Sequence, residues 1–108
     1  MIQFILMLKV KIMKTTFYLL LSLKTAKGHE SFGKFFLGED EAVARQTFSL
    51  LKGTADVGES DVLLLELMET RQGLPFNLNV LGCTLSELGE NCKMIAMETF
   101  KATNLKEF

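Results

Sequence analysis

One histidine, two cysteines, a pair of asparagines and a short acidic run are the residues of this 108-residue chain whose types could do chemistry. Histidine is the residue type whose charge can change between pH 5 and 8, and His29 is the one histidine in the chain. It ends the run Ala26-Lys27-Gly28-His29, which reads as a hairpin tip. Such tips are wet, whereas a general base needs a partner and a dry pocket. Cys83 is the sharper candidate. It stands between Gly82 and Thr84 where a helical pattern opens, and a helix N-terminus can lower a thiol pKa. A Cys–His pair would require folding to bring His29 to it. Asn77 and Asn79 read as the wet face of a strand leading to that corner. The ligand-binding candidates are therefore His29, Asn77, Asn79, Cys83 and Thr84. Glu39, Asp40 and Glu41 could attract a cation, but the positive end of a helix accounts for all three.

Other chemistries lack their residues. With one histidine and no CxxC or HxxxH, four zinc ligands cannot be assembled locally. Haem and iron–sulfur ligation fail for the same reason. No GxGxxG, GxxxxGK[ST] or GxSxG is present, so neither a phosphate cradle nor a serine-hydrolase elbow is indicated, and no cofactor is expected. Cys83 and Cys92 read as parts of one helix. At about 1.5 Å of rise per residue they stand roughly 13 Å apart, beyond the reach of a disulfide. Two cysteines without a framework point to a reducing, cytoplasmic setting. Twelve basic residues nearly cancel thirteen acidic ones, which argues against nucleic acid as a partner. The apolar runs near the N-terminus fall short of the roughly 20 residues that span a bilayer, so no membrane partner is expected.

The elements that would position these residues come as a repeat. Leu19-Leu20-Leu21-Ser22-Leu23 is echoed by Leu63-Leu64-Leu65-Glu66-Leu67, and each run is followed by a turn glycine, Gly28 or Gly73. Phe36-Leu37-Gly38 and Val80-Leu81-Gly82 then each open a helical segment. Each unit reads strand, turn, strand, helix. In the first, the strands are 17–25 and 31–37, and the helix buries Ala44, Phe48 and Leu51 beside Val43 and Thr47. In the second, the strands are 61–69 and 76–81, with Phe76, Leu78 and Val80 alternating against Asn77 and Asn79. Thr84-Leu85-Ser86-Glu87 matches a capping box. Leu85, Leu88, Cys92, Ile95 and Thr99 then form a helical stripe.

Neither unit could bury its apolar stripe alone. The expectation is one α+β domain over 13–108, made of units 13–53 and 61–108 with 54–60 as linker. Its ββαββα order gives a four-stranded, mainly antiparallel sheet with both helices on one face. Moving the first strand to the end gives βαββαβ, so the element order resembles a permuted ferredoxin-like topology. Residues 1–12 lie outside the repeat and read as an N-terminal extension, as an added edge strand or as an upstream start. Apolar residues on both faces of several strands predict a homo-oligomer, a dimer first, that buries the open sheet face. The expected function is a non-catalytic binding or assembly domain. The alternative is a small enzyme or ligand-binding protein with a site at the subunit interface, involving Cys83 or His29.

Overall fold

The computed structural model describes residues 15–57 and 62–104, so the expectation for residues 1–12 lies outside the described residues. The elements are β1 (Thr16–Thr25), β2 (Gly28–Gly38), α1 (Glu41–Ser49), β3 (Leu63–Arg71), β4 (Leu74–Cys83) and α2 (Leu85–Asn104). The four strands form one sheet in the order β2-β1-β3-β4, antiparallel at each pairing. The fold is α+β, with the expected ββαββα order.

The two leucine runs explain why β1 and β3 take the centre. They lie directly opposite one another, with Leu19 against Leu67, Leu21 against Leu65 and Leu23 against Leu63. Alternation puts these residues on one face, which joins Phe17, Ala44, Phe48 and Ile95 in a single core. Burying one such leucine contributes roughly 1.5–3 kcal/mol, so the most apolar strands sit where both sides are covered. Both helices add side chains to this core, hence both lie on the same face. From α1 come Ala44, Thr47 and Phe48, as the spacing predicts.

The connectivity departs from a permuted ferredoxin-like sheet. In that arrangement the strand leading into each helix is central. Here those strands, β2 and β4, are at the two edges and the first strand of each hairpin is inside. The physical reason is the burial just described, because β2 and β4 carry the more polar sequences. The β3–β4 turn is tight. Gln72 at φ 50° and Gly73 at φ 80° are both left-handed, as a two-residue turn needs to match strand twist.

Two further expectations change. The alternation of β4 is interrupted, because the register shifts opposite Leu67 and Met68. Asn79 therefore pairs with Leu67 and Asn77 with Met68, so the two asparagines fall on opposite faces. Leu85 is 77% exposed and contributes nothing to the stripe of α2. In its place the buried helix residues are Asn91 and Ile95, with Leu88 and Cys92 half-buried.

Asn91 holds the segment after α1 in place. Its Oδ1 accepts from the Lys52 N–H at 2.7 Å, and its Nδ2 donates to the Lys52 carbonyl at 2.8 Å. Beside it the Lys52 ammonium meets Glu90 at 2.6 Å. This hydrogen bond and charge raise the Lys52 pKa and lower that of Glu90. Two residues on, Thr54 exchanges both backbone hydrogen bonds with Gly82 of β4. Gly53 lies so close that a Cβ there would meet the Gly82 carbonyl oxygen and the Leu81 side chain. Residues 52–54 are thus a strap tying α2 to β4.

Asn91→Ala leaves the Lys52 N–H and C=O without their side-chain partners, and we expect it to cost about 1–3 kcal/mol in urea denaturation. Asn91→Asp keeps the acceptor but loses the donor, and should be at least as destabilising at neutral pH. Wild-type stability in both variants would contradict the strap.

Candidate functional site

The structure keeps the two most reactive candidates apart. Cys83 is the last residue of β4, 5% exposed, and belongs to the core with Leu63 and Leu81. It precedes α2 and is not in its helical stripe, which corrects its placement on one helix with Cys92. His29 is exposed near the start of β2, opposite Lys24. Along one row of the sheet Cys83 pairs with Leu63, Leu63 with Leu23 and Leu23 with Glu30. His29 is one residue from that row on the far edge strand, so three strand spacings, roughly 14 Å, separate it from Cys83. Cys83 also shares the helix-side face with Leu63, whereas His29 shares the other face with Lys24. The β2-β1-β3-β4 order therefore forbids a Cys–His pair within one chain.

The polar candidates are occupied by structural hydrogen bonds. The Thr84 hydroxyl accepts from the Glu87 N–H at 3.2 Å, and Glu87 Oε1 accepts from the Thr84 N–H at 2.9 Å. This is the capping box that the sequence predicts. Asn77 Nδ2 donates to Glu66 Oε2 at 3.2 Å, and Asn79 Oδ1 accepts from the Val80 N–H at 2.9 Å. Asp40 is the N-cap of α1 and accepts from the Ala42 and Val43 amides. Glu41 pairs with Arg45 one turn on, at 2.9 Å. Among the described residues no group of acidic, histidine or cysteine side chains could hold a metal ion.

Sequence reasoning overlooked two features. The first is a charged corner. Glu69 is buried and accepts from Arg71 Nη2 at 2.7 Å, and the guanidinium lies 4.9 Å from the Phe76 ring centre. The hydrogen bond and charge of Glu69 raise the Arg71 pKa, with a smaller contribution from Glu41. The signal was in the sequence, since Glu69 continues the period-two row Leu63, Leu65, Leu67. The second is an open groove of about 560 Å³ between β2 and α2, lined by Lys34, Phe35, Phe36, Cys92, Ile95 and Phe100 among others. Nothing in the spacing of α2 alone shows that its Phe100 comes beside the β2 strand.

No protein-family model, curated protein or solved structure matches this chain. Among the described residues no helix is long and apolar enough to cross a membrane.

Burial of Cys83 and partial exposure of Cys92 give distinct thiol reactivities. Under native conditions an aromatic disulfide reagent is expected to modify Cys92 first, with Cys83 protected until the chain unfolds. Rapid modification of Cys83 in the folded protein would contradict its interior placement.

Proposed function

We propose that this chain is a small non-catalytic binding and assembly domain that self-associates through apolar surface of its sheet. The observation that carries the reading is a group of exposed apolar side chains on β2 and on the part of α2 beside it. Phe32 and Phe36 of β2 are 66% and 61% exposed, and Phe100 and Met97 of α2 are 63% and 54% exposed. Isolated exposed apolar side chains are ordinary, but a contiguous group marks an interaction site. Phe36 and Phe100 line the same groove.

The sheet face away from the helices contributes in an uneven way. At its centre Tyr18, Leu64 and Met68 are buried within the chain. Its exposed apolar residues are towards the margins, Phe36 on β2 and Val62 just before β3. The reading therefore moves the contact surface from the middle of the open face to the β2 side. Cys83, Thr84, Asn77 and Asn79 take part in core packing, capping and sheet contacts, so the reading rests on the exposed apolar side chains and not on these residues.

The same reading takes the two ββα halves as a structural duplication. The like order of elements supports it, as does the way the two leucine runs face each other about the Leu21–Leu65 pair.

The test is the solution mass by light scattering across a concentration series, for the full chain and for a version beginning at Met13. The expected result is a dimer or larger species in both. A monomer in both at high concentration would overturn the assembly reading, and an oligomer in the full chain alone would transfer the interface to the first twelve residues.

A further inference from the structure

The two edges of the sheet differ in how they are protected. The outer side of β4 is engaged at one end by the Thr54–Gly82 bridge and carries Pro75 near the other. Proline and a covering segment are both devices that stop an edge from pairing with another chain. The other edge, β2, is eleven residues long, contains no proline and has no neighbour on its outer side among the described residues. Lysine is a common edge guard. However, Lys34 lies across the ring of Tyr18 on β1, with its ammonium 4.4 Å from the ring centre, so it turns inward from the edge.

Resting on the assembly reading above, we propose that β2 is the self-association edge, where a second copy of this chain pairs antiparallel across a two-fold axis to continue the sheet. An antiparallel edge is self-complementary under such an axis, since both copies present the same donors and acceptors. The register follows from the irregularities of β2. Its pairing with β1 shifts near Phe32 and again near Leu37, leaving Gly33–Phe36 as the regular run between them. Opposed residues must share a face, so the axis passes through Lys34 or Phe35. An axis at Lys34 sets two like charges against each other. An axis at Phe35 avoids that opposition and sets Lys34 across from position 36 of the partner copy.

The available area suits a dimer. A phenylalanine side chain carries roughly 150–250 Å². Phe32, Phe36 and Phe100 at their observed exposures, together with Met97, therefore offer roughly 450 Å² per copy. With the backbone of the strand and its remaining side chains, this approaches the roughly 800 Å² that each partner gives in a standard interface.

An axis at Phe35 puts the two copies of that residue directly opposite, with Cα atoms about 4.5–5.5 Å apart, inside disulfide range. The experiment places Phe35→Cys in a Cys92→Ser background and oxidises it mildly. A covalent dimer is expected as the main product. Since Phe35 is half-buried, a second measurement avoids its core contacts. Phe36→Lys, at an exposed position, should weaken dimerisation at least tenfold by sedimentation with unchanged melting of the folded chain, and Val62→Lys should leave dimerisation as it was. If the wild-type dimer forms but Phe36→Lys leaves it intact and Phe35→Cys does not cross-link, the edge proposal falls while self-association stands. If the wild type is monomeric, both fall.

Discussion

The pairing of β1 with β3 is the constraint on which the rest of the molecule depends. Each strand carries a leucine-rich run, and placing the runs face to face gives both of them a covered position in the sheet. Leu19, Leu65 and Leu67 are almost fully buried as a result. Once those two strands are central, their hairpin partners β2 and β4 can only be edges. Both helices must then return to the face that Leu19, Leu65 and Phe17 make apolar. Strand order is thus decided by which strands are most apolar, since sequence adjacency is satisfied by hairpins on either side.

That order also separates the two most reactive side chains. His29 lies on one edge strand and Cys83 on the other, with two leucine-rich strands between them. The same architecture leaves the edges unequal. The strap at residues 52–54, held by Asn91 and bridged to Gly82, covers part of β4 and has no counterpart on β2 among the described residues. Protection of one edge and exposure of the other follow from a single asymmetry between the halves.

Much of the fold is legible in the sequence, for identifiable physical reasons. Period-two alternation separates Phe17 and Leu19 from Tyr18 and Leu20, and helical spacing finds Ala44, Thr47 and Phe48. The capping box at Thr84 and Glu87 is local chemistry and forms as the residues require. Contacts distant in sequence are where legibility ends. Asn91 looks like a solvent-facing residue because its partner is a backbone group 39 positions away. Leu85 looks like the start of an apolar stripe, but the core ends before reaching it. The bulge opposite Leu67 and Met68 leaves no mark in composition, yet it separates Asn77 from Asn79. Strand order, which decides the fate of the His29 and Cys83 candidates, is a property of the assembled sheet and of no single segment.

The central claim is that the facing leucine runs of β1 and β3 are the cooperative heart of the fold. Native-state hydrogen exchange read amide by amide tests it most directly. The account predicts that Leu19–Leu23 and Leu63–Leu67 share one opening free energy, the highest in the molecule and equal to that of global unfolding. If one hairpin opened as a unit while the other kept its protection, the two runs would not depend on each other, and the account would be contradicted.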